Sequence, residues 1–435
     1  MKKVTPERTM KFKIILCLAL VLSGILLCCS SIALGADMQL QVRFDFPGGS
    51  AKVLKLDPAS NMVRITPAGD PKRGWPCWWY FRLDNVDTGK PVVLEVTANQ
   101  GVVRNGDGDN TRKLPAAYSL PEYAAFSTDG TNWEHTARGE RQGDRSIYRI
   151  DASTSTLWLA WGPPFTLKDA DQLIQKTCDL CPYAKSFVLA RTRGDRPVPG
   201  VRISQPGAAN GPRFTVWIQA RQHAWESGSS WVARGFVEWL VSNDPSAESL
   251  RGKADIVIIP VVDVDSVETG QGGKEQVPHD QDRDWGTAPY FPEVAAGMSR
   301  LTALAKADRL DLFLDLHNPG YSARDIDFYI ASVPFRGRER VANEDNFLKI
   351  VQEQMTGSIK FNGRIGPVGK TYDPTVNKAV DAWVAAQSRP HVVSLTMEIP
   401  WNISASTASG YLKVGEQLGR SIDLYLQPAI RSGSQ

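Results

Sequence analysis

The sequence predicts an N-terminal antiparallel β-sandwich followed by an α/β/α domain built on a mostly parallel sheet. Three observations carry that expectation. From Met38 to about Pro163, short strand-like runs are separated by turn residues, the texture of a sandwich. From about Phe165 onward, apolar runs alternate with helix-period stretches, which implies parallel strands joined by crossover helices. Two of those apolar runs each deliver a histidine at the C-terminal end, where an open α/β sheet binds its ligands.

The first residues stand apart from that plan. Lys2, Lys3, Arg8, Lys11 and Lys13 precede an apolar run from Ile14 to Leu27, and Ala33-Leu34-Gly35 offers small residues for cleavage. Residues 1–35 therefore read as a signal peptide, with export to the periplasm or the medium and no stable membrane insertion after its removal. The alternative is an uncleaved anchor, because Ile14–Leu34 is almost long enough to span a bilayer. What remains, roughly 400 residues, exceeds a comfortable single core, so two domains are expected. A composition that is 42% hydrophobic and 22% charged leaves no case for disorder. The net charge of +3 is too small to argue for nucleic acid or a membrane surface as partner. Beyond the leader lie Cys77, Cys178 and Cys181. In an exported protein the expectation is a local Cys178–Cys181 disulfide, with Cys77 buried as a small apolar residue.

The sandwich is assigned to residues 37–163. Its candidate strands are Gln39–Phe46, Met62–Thr66, Cys77–Leu83, Pro91–Ala98, Glu122–Ser127, Ser146–Ile150 and Leu157–Trp161. Turns such as Asp87-Thr88-Gly89 separate them. The linker Pro163–Asp169 leads into the second domain, residues 165–430. Strands are expected at Phe187–Arg191, Phe214–Ala220, Ala254–Val262, Leu310–Leu316 and Val392–Met397. Helices are expected at Ser229–Ser242, Glu293–Ala307 and Glu339–Thr356.

The chemistry concentrates where strands end. After Phe214–Ala220 comes His223-Ala-Trp-Glu226, and then Val232, Phe236, Trp239 and Leu240 at helical spacing. After Asp311–Leu316 comes His317, followed by an Asn-Pro-Gly turn. One HxxE pair is a weak signal, but a second apolar strand ending in histidine strengthens it. His223, Glu226 and His317 together have the composition of hydrolytic zinc sites, three protein ligands with a position left open. His135, His279 and His391 do not fit the pattern and read as surface or hydrogen-bonded histidines.

At these residues the chain resembles the M14 metallocarboxypeptidases, in their cytosolic-carboxypeptidase-like branch. ARQHAWESGSSWVARGFVEWL is similar to that branch's ARxHPGExxxSWxxxGFxxxL, and VDVDSVETGQGGKEQVPHDQDRDW is similar to its NPDGVxxGNxRxxxxGxDLNRxW. LDLH at 314–317 and SLTMEIPW at 394–401 match later segments, and WWYFR at 78–82 resembles the branch's N-terminal β-domain. The resemblance implies a carboxypeptidase-like second domain and one zinc per chain on His223, Glu226 and His317. It makes Glu398, at the end of its apolar run, the general base that takes a proton from water and returns it to the leaving amine. It makes Arg283 the bidentate anchor of a substrate carboxylate. The other reading of Arg283 is a member of the ion-pair cluster Asp280–Asp284. Arg221 would steady a substrate carboxylate or carbonyl, or pair with a nearby acid. Tyr372 would cover the substrate, or pack in its Pro-containing turn.

The departures bear on substrate. Asp282 stands where the family has Asn, a negative charge beside the carboxylate pocket. Strand-like alternation around Gln281-Asp282-Arg283 would send it away from Arg283 and toward Lys274. The family's internal Arg falls on Gly273, with Lys274 the nearest cation, and bulky Trp225 sits between two ligands. The implied activity is hydrolysis of C-terminal amide bonds of peptides or cell-wall stem peptides outside the cytoplasm. Two alternatives stay open: a zinc deacylase or amidase of small N-acyl amino acids, and a catalytically silent binding protein.

Overall fold

Period-two burial builds the first half of the chain. Val92–Thr97 alternates buried and half-buried residues along its length, so one face packs inward and the other meets its neighbours at the surface. In the computed structural model, which describes residues 39–105, 110–206, 213–330, 337–365 and 378–431, two five-stranded sheets arise in this way. One runs Gln41–Arg43, Tyr80–Asp84, Thr156–Ala160, Ala125–Ser127, Glu134–His135. The other runs Glu140–Gln142, Arg145–Ile150, Val92–Thr97, Met62–Thr66, Lys52–Asp57. Their shared core includes Ile65, Trp79, Phe81, Leu94 and Leu159. The expected antiparallel pairing has one exception: Met62–Thr66 runs parallel to Val92–Thr97. The chain between them crosses over to the other sheet as Tyr80–Asp84 and so returns in the same direction.

In the second half an eight-stranded mixed sheet takes over. Its order is Ala184–Arg191, Pro197–Ile203, Ala254–Ile259, Phe214–Ala220, Leu312–His317, Val393–Glu398, Ile326–Ile330, Phe361–Ile365. The central four, from Ala254–Ile259 to Val393–Glu398, are mutually parallel. Phe214–Ala220, Ala254–Ile259 and Leu312–His317 are buried at every position, which is why they read as continuous apolar runs. Pro197–Ile203, Ile326–Ile330 and Phe361–Ile365 add strands that the sequence pattern did not announce, as do the helices Leu167–Leu180 and Ala408–Tyr425. All three lie outside the parallel centre, where burial is less continuous.

Leu40–Gln435 forms one compact unit, with a core in each half. The last strand of the sandwich ends at Ala160, and a capping box of Thr166 and Asp169 starts the first helix at Leu167. Backbone hydrogen bonds tie the halves together: Gly273 N to Arg73 O at 3.0 Å, Val277 N to Lys72 O at 2.8 Å, and Trp75 N to Lys274 O at 3.1 Å. Cys178 lies in the last turn of Leu167–Leu180, whereas Cys181 caps that helix with extended backbone (φ −123, ψ 110). The chain leaves the helix there, and Cys77, Cys178 and Cys181 are all free, which overturns the expected disulfide. The leader at 1–35 lies outside the described residues. Among the described residues no helix is long and apolar enough to cross a membrane.

Candidate active site

Three adjacent parallel strands set the site. Ala220 lies opposite Leu316, and His317 opposite Glu398, so the chemistry-bearing segments end at one level of the sheet. Arg221 takes a left-handed conformation (φ +69) directly after its strand and turns the chain back toward its neighbour. The guanidinium of Arg221 holds that turn by donating to Ala224 O at 2.7 Å, Phe165 O at 3.1 Å and Ser230 Oγ at 3.4 Å. Arg221 is only 2% exposed, and burial pushes its pKa down to about 9 against the pull of Glu226 and Asp263. A substrate role for Arg221 is therefore set aside, because its buried guanidinium bonds two backbone carbonyls and a hydroxyl of the fold itself.

Past that turn, His223 and Glu226 meet His317. His223 Nδ1 is 3.0 Å from Glu226 Oε1, and His317 Nδ1 is 2.9 Å from Glu226 Oε2. Asn318 N donates to Glu226 Oε2 at 3.1 Å. Each imidazole is also held from behind: His223 Nε2 by Asp280 Oδ1 at 3.0 Å, and His317 Nε2 by Asp315 Oδ2 at 2.8 Å. The three residues offer ligand atoms within 4.8 Å of one another, and all are buried. Two imidazole nitrogens converging on one carboxylate, each ring fixed by a further carboxylate, is the donor set that zinc takes. The residues present fit that ion.

The charges are interlocked. Burial alone would lower His223, but Asp280 and Glu226 outweigh it and raise the imidazole to about 9, against Lys274. For His317, burial is likewise overcome by Asp315 and Glu226, which hold it well above its ordinary value. Burial opposes ionisation of Glu226, yet the two imidazoles hold its carboxyl well below the usual range. Glu398 sits half-buried at its strand end, with a buried Oε2 that has no hydrogen-bond partner among the described residues. Burial pushes Glu398 up to about 7, with His317 pulling the other way and Glu226 reinforcing the rise.

Arg283 and Asp282 differ from the expected geometry. Gln281–Arg283 is a turn of 3₁₀ helix whose N-cap, Asp280, accepts from Asp282 N through Oδ1 at 2.9 Å. Strand alternation does not apply, and Asp282 does not reach away toward Lys274. Instead Asp282 Oδ2 accepts from the Arg283 guanidinium, and its Oδ1 accepts from Gln222 Nε2 at 3.1 Å. The same Gln222 amide donates to Asp315, and Trp285 Nε1 donates to Gln222 Oε1 at 2.9 Å.

Gly273 explains the missing arginine. It has φ +78, and a Cβ there would stand 2.6 Å from Asp263 Oδ2 and 2.8 Å from Ala224 N, against the ligand segment itself. Lys274 follows, with Nζ 5.4 Å from the Trp75 ring centre. Burial works against its charge, but Asp280 and Glu226 more than offset it and keep the ammonium charged. Trp225 turns out of the site. It is 1% exposed and stacks on Trp75 at 5.9 Å, with Trp161 and Trp401 edge-on at 5.4 and 5.8 Å, so it fastens the ligand loop to the sandwich core. Tyr372 lies outside the described residues.

Asp280, Asp315 and Gln222 have parts in the site that sequence reasoning missed. Asp315 carried a usable signal: two residues before His317 on one strand puts both side chains on the same face. Asp280 and Gln222 carried none, since their partners are 57 and 93 residues away.

Comparison with known proteins covers both halves. A family model described as zinc carboxypeptidase matches residues 171–318, and one described as cytosolic carboxypeptidase N-terminal domain matches residues 42–161. Human cytosolic carboxypeptidase 1 is 33% identical over 274 residues, 55% of this chain and 22% of the human protein. An uncharacterized protein of Zymomonas mobilis is 26% identical over 284 residues, 64% of this chain and 68% of that protein. The chain thus spans 22% of the length of the chicken and human cytosolic carboxypeptidase 1 that it matches. Among solved structures, a metallo-carboxypeptidase from Burkholderia cenocepacia superposes with TM-score 0.73 at 20% identity, over 89% of this chain and 99% of that one. A metallo-carboxypeptidase from Pseudomonas aeruginosa, solved with (2-guanidinoethylmercapto)succinic acid, gives 0.72 at 17% identity, over 88% and 98%. At those identities the likeness is one of fold. Both halves of the chain answer to one family: it belongs to the M14 zinc carboxypeptidases, in the branch that carries the cytosolic-carboxypeptidase N-terminal domain.

Proposed function

We propose that this protein is a zinc-dependent carboxypeptidase that removes residues from the free C-terminus of peptides, cell-wall stem peptides included, outside the cytoplasm. The observation that carries the reading is that His223, Glu226 and His317 converge at strand ends with Glu398 directly opposite His317. One zinc per chain, held by those three residues, would supply Lewis acidity toward the scissile carbonyl and the attacking water. Glu398 is the base: a carboxylate raised to about 7 both accepts a proton from water and returns it to the leaving amine. Lys274 brings a positive charge to the wall where the family has arginine, suited to a carbonyl oxygen that gains charge. Arg283 receives the substrate's terminal carboxylate in exchange for Asp282. The basic, apolar leader supports the location.

The Asp282–Arg283 pair also favours a second reading. An arginine already neutralised by its neighbour suits a zinc amidase or deacylase of small N-acyl amino acids, with less demand for an anchored chain end. A panel of peptides with free and amidated C-termini, together with N-acyl amino acids, separates these by mass spectrometry of products. Single C-terminal residues should leave free-ended peptides only, and Glu398→Gln should slow that by at least about a hundredfold while keeping its zinc. Turnover confined to N-acyl amino acids would replace the first reading with the second. A zinc-loaded protein that cleaves nothing would leave a silent binding protein.

A further inference from the structure

A second site lies at the opposite end of the same strands. A cavity of about 600 Å³ opens where Ala254–Ile259 and Phe214–Ala220 begin, beneath the helix Pro292–Lys306. Thr215 pairs with Asp255, and Trp217 with Val257, so all four side chains stand on one face of the sheet and line it. From Thr215 to the strand end at Ala220 is about 17 Å, at about 3.3 Å per residue. No group held here can reach the zinc donors, and the cavity stands independently of the hydrolytic reading.

Its charge is lopsided. Lys185, Arg202, Arg300 and Arg309 line it, against the single carboxylate of Asp255. That carboxylate is saturated: Oδ1 accepts from Ser204 Oγ at 2.7 Å and Arg213 Nε at 2.9 Å, and Oδ2 from Arg202 at 3.0 Å and Arg309 at 2.7 Å. Arg300 donates to Val188 O at 3.1 Å and lies 4.5 Å from the Phe187 ring centre. Neither Arg300 nor Lys185 makes an ion pair among the described residues. The floor is apolar: the half-buried Phe187 offers aromatic surface, and Trp217, 1% exposed, lies packed beneath it. Set in that floor, Thr215 is 2% exposed, and its hydroxyl has no partner among the described residues. A buried hydroxyl is rarely left so, and an acceptor placed in the cavity would satisfy it.

We propose that this cavity binds an anionic amphiphile. Its flat hydrocarbon body lies between Phe187 and the helix residues Ala303 and Leu304, and its carboxylate or phosphate head is held by the arginines, with Thr215 donating to it. The volume falls within the range of small-molecule sites.

The test uses the zinc-loaded full chain and three probes of one shape: 2-naphthoate, 2-naphthyl phosphate and neutral 2-naphthamide, by isothermal titration calorimetry. One equivalent of an anionic probe should bind at least tenfold tighter than the amide, and the ratio of the two anions identifies the preferred head. Binding should persist in Arg283→Met, which removes the carboxylate anchor of the catalytic cleft. It should weaken at least tenfold in Arg300→Glu, on an exposed helix face, and severalfold in Thr215→Val, which keeps the side-chain shape. Equal binding of anion and amide, loss of binding in Arg283→Met, indifference to Arg300→Glu, or no saturable binding at millimolar probe would each overturn the proposal.

Discussion

Asp315 offers the sharpest test of the metal centre. Its Oδ2 lies 2.8 Å from His317 Nε2, and the residue is fully buried. Asp315→Asn keeps the shape and removes the charge that fixes the ring and raises the basicity of its Nδ1. Loss of such an outer carboxylate costs about 10- to 100-fold in metal affinity, or about 1.4 to 2.7 kcal/mol. A second effect opposes it. Asp315 also stabilises a proton on His317, and that proton competes with zinc for Nδ1. With His317 raised well above its ordinary value, the competition persists into mildly basic solution and trims the loss toward the tenfold end. The deficit should therefore widen as pH rises and proton competition fades. Zinc dissociation constants measured against a chromophoric chelator at several pH values would show it, with circular dichroism confirming the fold. Zinc affinity in Asp315→Asn that equals or exceeds the parent's at every pH would refute the reasoning.

Other consequences follow from single contacts. Asp282→Asn should remove the charge that competes for the Arg283 guanidinium and lower KM for carboxylate-ended peptides severalfold, whereas an unchanged KM would mean that Arg283 does not meet the substrate. Burial pushes Glu293 up to about 8, with one oxygen on Gln281 at 2.7 Å and the other without a partner among the described residues. The folded state thus keeps a proton that the unfolded chain has released, so stability falls as pH rises from the ordinary carboxyl range through about 8. Glu293→Gln should flatten that slope by a few kcal/mol at most (about 3) in denaturant titrations at pH 5.5 and 8.5, and identical slopes would refute the assignment. Trp225→Ala should cost about 3 kcal/mol or more in unfolding free energy and also weaken zinc binding, because it opens a cavity beside the ligand loop. Lost stability with unaltered zinc affinity would uncouple the two.

Much of this protein was written in its local pattern. The strands Phe214–Ala220 and Leu312–His317 are buried on both faces, and full burial leaves a largely apolar run where a half-exposed strand would alternate. The helix that follows Glu226 announces itself through its period, and the three zinc donors through their place at strand ends. Those signals are short-range and survive in the sequence. What the sequence did not hold was direction and partnership. Gln281–Arg283 was expected to alternate, but the Asp280 side chain caps a 3₁₀ turn, and local side chain–backbone bonding overrode the strand pattern. Trp225 looked like an obstacle in the site, yet only packing against Trp75 and Trp161 of the sandwich decides that it points away. Arg221, a candidate substrate contact, is a staple of its own turn, and Asp280, read only as a member of a charged cluster, is the support of His223. That Asp280 stands behind His223 is settled only when segments 57 residues apart meet, because such a hydrogen bond depends on a distance that sequence separation does not encode.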